Sequence, residues 1–127
     1  MLHLKNIRKS YGDFIAISDL SLSIEKGEVF GLLGPNGAGK STCISLAIGL
    51  LSPEGGSVDI AGSGPPTRRD VRATIGVAPQ ALALYEPLTA KENLLFFGSL
   101  HDLDRVRLAE RVESTLEFVG LTDRRND

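Results

Sequence analysis

Apolar and polar residues alternate from the start of the chain. Leu2, Leu4 and Ile7 are interleaved with His3, Lys5 and Asn6, the pattern of a half-buried strand. Ser10-Tyr11-Gly12-Asp13 supplies turn chemistry, and Ile15, Ile17, Leu20, Leu22 and Ile24 then recur mostly two apart, so a hairpin is expected. After Lys26-Gly27, the segment Glu28-Val29-Phe30-Gly31-Leu32-Leu33 reads as a continuous apolar run. A strand covered on both faces looks like this, which predicts the central strand of a parallel or mixed α/β sheet.

Gly34-Pro35-Asn36-Gly37-Ala38-Gly39 is too rich in glycine for helix or strand, and Lys40 to Leu51 follows as a helix with apolar residues at Ile44, Ala47, Ile48 and Leu51. Ser52-Pro53-Glu54-Gly55-Gly56 stops it before a short strand, Ser57 to Ala61, and Gly62 to Pro66 is a loop. Ile75-Gly76-Val77-Ala78 predicts a brief buried strand, which places Gln80, after Pro79, at a strand exit. Thr89-Ala90-Lys91-Glu92 has the capping-box pattern and opens a helix through Leu94, Leu95, Phe96 and Phe97. A second helix is expected from about Asp104, with Leu108, Val112, Leu116 and Val119 on one stripe and Gly120 as its C-cap.

Composition narrows the classes. Of 127 residues, 42% are hydrophobic and 24% charged, which is ordinary globular usage. The net charge of -2 and the absence of any Lys/Arg block give no electrostatic footprint for nucleic acid. The single cysteine, Cys43, can form no internal disulfide and has no neighbours at metal-ligand spacing, so a reducing, cytoplasmic setting fits. No run has signal-peptide or membrane-span length, so a membrane connection is expected only through a partner.

The chemistry is concentrated in Gly34-x-x-x-x-Gly39-Lys40-Ser41, the Walker A phosphate-loop pattern. Its glycines let successive N–H groups point inward at phosphate oxygens, and the start of the helix adds its positive dipole end. Lys40 supplies a compact cation for the terminal phosphates, Ser41 a hydroxyl for Mg²⁺, and Thr42 a donor to the α-phosphate. The whole loop, Gly34, Pro35, Asn36, Gly37, Ala38, Gly39, Lys40, Ser41 and Thr42, is thus expected to hold ATP with magnesium. Gly34, Gly37 and Gly39 do not have dinucleotide-fingerprint spacing.

Gly34 to Thr42, preceded by Gly27-Glu28-Val29-Phe30-Gly31-Leu32-Leu33, resembles the ATP-binding-cassette (ABC) transporter ATPase subunits. So do Tyr11 ahead of Gly12, Ile75 to Gln80, and Leu88-Thr89-Ala90-Lys91-Glu92-Asn93-Leu94. Within that family the chain most resembles exporters of drugs and other small molecules whose ATPase is a separate polypeptide. The resemblance implies that Tyr11 stacks on adenine, and that Gln80 approaches Mg²⁺ and the attacking water and relays nucleotide state to a membrane subunit. It also implies a dimer of nucleotide-binding domains, each phosphate loop facing the other copy, and a cytoplasmic position at the inner face of the membrane. The implied fold is an α/β P-loop NTPase core with an N-terminal antiparallel β portion and the start of a helical subdomain. Residues 1–80 would form the β portion and core, and residues 81–127 the Q-loop and that start.

The family's Leu-Ser-Gly-Gly-Gln signature, Walker B aspartate, catalytic glutamate and switch histidine do not occur in the chain. Glu92, Glu110, Glu113 and Glu117 fall on predicted helices and do not replace a carboxylate at the end of a buried strand. The expectation is therefore an incomplete domain, a fragment of a longer transport ATPase that does not hydrolyse ATP alone. Such a fragment would leave Val29 to Leu33 with an unpaired edge and would be poorly soluble. Two other readings stay open: a GTPase or nucleotide kinase on the same loop, for which no Asn-Lys-x-Asp guanine reader is present, and a nucleotide-binding module without catalysis. Cys43 is expected to be buried as a small hydrophobe, Phe96, Phe97 and Phe118 to belong to the core, and His3 and His101 to be structural or solvent-facing.

Overall fold

In the computed structural model, which describes residues 1–81 and 83–127, the chain divides into two compact units, Met1–Val77 and Ala78–Asp127.

The first unit is built on the predicted hairpin. Strand β1 (Leu2–Tyr11) pairs antiparallel with β2 (Phe14–Ile24), and the two-residue turn between them has Gly12 at φ 57°. Strand β3 (Gly55–Ile60) pairs antiparallel with the other edge of β1, giving the order β2-β1-β3. Simple alternation would carry Leu2 and Leu4 inward, followed by Asn6. Instead, Leu4 opposes Leu22 while Ile7 opposes Leu20, so β1 holds one extra residue, and Asn6 takes φ 50°. That bulge turns Ile7 to the same face as Leu4, where it is 0% exposed.

Helix α1 (Lys40–Ala47) covers this face and, with the sheet, forms the core Leu4, Ile7, Cys43, Leu46 and Val58. The apolar positions expected to define its stripe are only part of it. Cys43 and Leu46 carry the burial, while Ile44 is half exposed, because the loop before the helix fixes its rotation. α1 ends at Gly49, φ 76°, with Leu50 N–H donating to Ser45 O at 2.9 Å and Gly49 N–H to Leu46 O at 3.2 Å, the paired bonds of a Schellman cap. A Cβ at Gly49 would lie 2.3 Å from Pro66 O, so glycine also permits the close packing of the 62–67 loop. The four-residue helix α2 (Arg69–Arg72) follows.

Two predicted strands are not strands. Residues 28–33 join no ladder among the described residues, and Val29 and Leu33 are 98% and 92% exposed. Residues 75–78 are likewise irregular, with Val77 exposed. Apolar composition suits a segment to a buried strand, but the strand exists only through hydrogen bonds to a neighbour, and these runs have none among the described residues.

In the second unit, α3 (Ala90–Ser99) and α4 (Arg105–Phe118) pack on each other. The capping box forms as expected: Glu92 N–H donates to Thr89 Oγ1 at 3.2 Å, and Thr89 N–H donates to Glu92 Oε2 at 2.8 Å. Asp104 caps α4 by accepting Arg107 N–H at 2.9 Å. A second Schellman cap closes α4, with Leu121 N–H on Leu116 O at 2.8 Å, Gly120 N–H on Glu117 O at 3.0 Å and Gly120 at φ 70°. Val112 and Leu116 of the predicted stripe are buried, whereas Val119 is exposed at the helix end. Phe118, expected in the core, is 89% exposed because it lies off the stripe that faces α3. Phe96 and Phe97, expected in the core, remain partly exposed; Phe96 meets the Tyr85 ring edge-on at 4.8 Å between centroids and Phe97 stacks on it at 6.0 Å.

Candidate functional site

The glycine-rich segment is a tight loop between the exposed 28–33 run and α1. Ala38 N–H donates to Pro35 O at 3.3 Å, and Gly37 and Gly39 take φ 85° and 81°, conformations that side chains strain to adopt. Gly39 is also pressed against β2: a Cβ there would stand 2.6 Å from Ala16 O. The loop is thus anchored to the sheet at its last glycine, which sets where α1 starts and which way it faces.

The first α1 hydrogen bond runs from Cys43 N–H to Gly39 O at 2.8 Å. The N–H groups of Lys40, Ser41 and Thr42 precede it and have no acceptor within the helix, so the dipole end and three donors share one locus. Lys40 folds back over the loop, its ammonium donating to Gly34 O at 2.6 Å and Pro35 O at 2.7 Å. An ammonium has three protons, so one donor is left over after these two bonds. The Ser41 side chain is exposed and that of Thr42 half-buried at the same helix end. A cleft of about 250 Å³ lies alongside, lined by Ala16, Ser18, Ala38, Gly39, Lys40 and Cys43 among others. Cys43 is buried beneath it, and that burial raises its thiol pKa. The arrangement concentrates donors and one cation around a small volume, which is what a polyanion with several oxygens requires.

Tyr11 belongs to the same unit. It closes β1 opposite Phe14, two residues along β2 from the Ala16 carbonyl that abuts Gly39, and is 48% exposed. Gln80 lies in the second unit, exposed and in a bend, with no strand leading into it. His3 shares a cross-strand hydrogen bond with Ser23, Nδ1 to Oγ 2.9 Å, and His101 is exposed after α3.

Three residues were not singled out from sequence. Ala16 receives the loop through its carbonyl, a backbone contact that no side-chain pattern announces. Lys9 places its ammonium 5.7 Å from the Tyr11 ring centroid, and the i, i+2 spacing on one strand face was the available signal. Asn93 is buried in α3, where Oδ1 accepts Tyr85 N–H at 2.9 Å and Nδ2 donates to Tyr85 O, Leu88 O and Thr89 O at 3.0–3.1 Å. An asparagine inside an otherwise apolar helix pattern is the cue for such a role.

Comparison with known proteins shows the family of the chain. Residues 17–127 match the family model described as ABC transporter. The linearmycin resistance ATP-binding protein LnrL of Bacillus subtilis (strain 168) is 45% identical over 129 residues, covering all of this chain and 41% of that protein. The Nod factor export ATP-binding protein I of Cupriavidus pinatubonensis is 42% identical over 127 residues, 99% of this chain and 39% of that one. The chain therefore spans about 40% of the length of these curated relatives. Among solved structures, a dimeric post-hydrolysis state of an ATP-binding cassette bound to ADP and Pi superposes with a TM-score of 0.75 at 30% identity, covering 99% of this chain and 60% of that one.

Proposed function

This chain belongs to the ABC transporter family, and on that premise we propose that it is the nucleotide-binding portion of a transport ATPase subunit, holding ATP with Mg²⁺ at residues 34–42. The observation that carries the reading is the Lys40 ammonium, poised on the Gly34 and Pro35 carbonyls at the mouth of the α1 N-terminus. Phosphate oxygens would meet the N–H groups of Gly39 to Thr42 and the remaining Lys40 proton. Gly39 fits this role physically, since any larger residue would collide with Ala16 O and displace the cradle.

Ser41, exposed at the same helix end, would supply a protein ligand to magnesium. Among the described residues no group of three or more His, Cys, Asp or Glu side chains is placed to hold a metal ion, so phosphate and water oxygens would complete the shell. Magnesium there would neutralise charge developing on the phosphates. Tyr11 would stack on the base through its exposed surface.

Nucleotide binding without turnover is the expected behaviour of this chain alone, because among the described residues no acidic residue ends a buried strand beside the loop. In a complete subunit, coupling to a membrane partner and pairing of two nucleotide-binding domains would follow. The names of the export and resistance relatives and the dimeric ADP-bound cassette support this, and no helix among the described residues is long and apolar enough to cross a membrane. Calorimetric titration with Mg-ATP, in competition with GTP, tests the reading, alongside phosphate release. ATP binding with negligible release is expected. Absence of binding, or a clear preference for GTP, would overturn it.

A further inference from the structure

The end of β1 carries more than an aromatic ring. Lys9 and Tyr11 project from one face of the strand, and the Lys9 ammonium sits over the ring at 5.7 Å from its centroid, within cation–π range. The ammonium is held from behind by Glu54, whose Oε1 lies 3.4 Å from Nζ. Glu54 is itself fixed to β1 by two further bonds: its Oε2 accepts Ser10 N–H at 3.1 Å, and its own N–H donates to Arg8 O at 2.9 Å. The Lys9 side chain is mostly buried in this arrangement, while Tyr11 keeps half its surface open.

We propose that Lys9, clamped by Glu54, is a positioning residue for Tyr11: it covers one face of the ring, fixes the ring's orientation, and leaves the other face as the platform on which a purine base stacks. The inference rests on the reading of Tyr11 as the base contact. A cation behind the ring also withdraws electron density from it, which favours stacking of an electron-rich purine on the free face. Lys9 acts through Tyr11 and makes no contact with the phosphate loop in this scheme.

The test measures affinities of the 127-residue chain for Mg-ATP and for inorganic tripolyphosphate, which has no base to stack. Wild type, Lys9→Met, Lys9→Arg, Tyr11→Leu and the Lys9→Met/Tyr11→Leu double variant are compared. Lys9→Met is expected to weaken ATP binding roughly two- to fivefold, the span of an exposed cation–π contact, while tripolyphosphate binding holds and Lys9→Arg restores ATP affinity. In the Tyr11→Leu background the same substitution should change nothing. If Tyr11→Leu weakens ATP binding but Lys9→Met does not, the positioning role is wrong and the base contact stands. Equal losses for ATP and tripolyphosphate in Lys9→Met, unrepaired by arginine, or an undiminished effect in the Tyr11→Leu background, would overturn it as well. Unchanged ATP affinity in Tyr11→Leu would remove the base contact itself, and the role of Lys9 with it.

Discussion

Gly39 packs so tightly on Ala16 that a single added carbon would stand 2.6 Å from the Ala16 carbonyl oxygen. The contact ties the phosphate loop to β2 and orients α1 over the sheet. Gly39→Ala should therefore damage fold and site together. The left-handed backbone alone costs a side chain about 1–2 kcal/mol, and the collision adds to it. The denaturation midpoint should fall accordingly and ATP binding should be lost; an unchanged midpoint would show that the loop relaxes away from β2 freely.

Lys40 is held by two loop carbonyls at 2.6 and 2.7 Å, in hydrogen bonds exposed to solvent. Lys40→Ala should leave the melting temperature close to wild type while lowering ATP affinity roughly ten- to hundredfold, the worth of a charge-assisted hydrogen bond. Calorimetry and a thermal melt on the same sample separate the two effects.

In the second unit, Asn93 ties the 85–89 segment to α3 through four hydrogen bonds. Asn93→Ala is expected to cost about 1–3 kcal/mol by removing the partner of the part-buried backbone groups of Tyr85 and Leu88. Asn93→Asp should be worse, since a carboxylate cannot donate to the three carbonyls. Chemical denaturation ranks the two, and the reverse order would count against this assignment.

Acid should weaken the second unit. Glu92 is held below the usual carboxylate value first by the Thr89 N–H and then by the Thr89 hydroxyl. Glu113 is held low first by its hydrogen bond from Lys91, at 3.0 Å, and then by the charges of Arg125 and Lys91. Both folded-state values lie below the ordinary 4.5, so their stabilisation is complete above that pH and disappears as pH falls through the folded values. Melting temperature should drop as pH falls below about 4.5, less steeply in a Glu92→Gln/Glu113→Gln variant and less steeply in high salt. Identical slopes in the two proteins would mean that neither carboxylate contributes.

Val29 is almost wholly exposed in a run that pairs with nothing among the described residues. An unpaired apolar segment invites edge-to-edge association. Val29→Lys should raise the concentration at which the chain remains monomeric by light scattering without altering tripolyphosphate binding. An unchanged association threshold would place the sticky surface elsewhere.

Features set by neighbouring residues were legible in the sequence. The phosphate-loop spacing, the Thr89–Glu92 capping box, the helix start near Asp104, the Gly120 stop and the Tyr11–Phe14 hairpin turn each depend on hydrogen bonds within one turn of chain, so a few adjacent residues suffice to specify them. Family membership was legible for the same reason, carried by short motifs. What needed a distant partner was decided only by tertiary structure. The 28–33 run has strand composition but no ladder among the described residues, and the bulge that brings Ile7 inward appears only when β1 is set against β2. The exposure of Phe118 depends on which face of α4 meets α3, and the fit of Gly39 depends on a carbonyl far along the chain. Periodicity records how apolar a face is; which surface it meets is fixed by packing between segments remote in sequence.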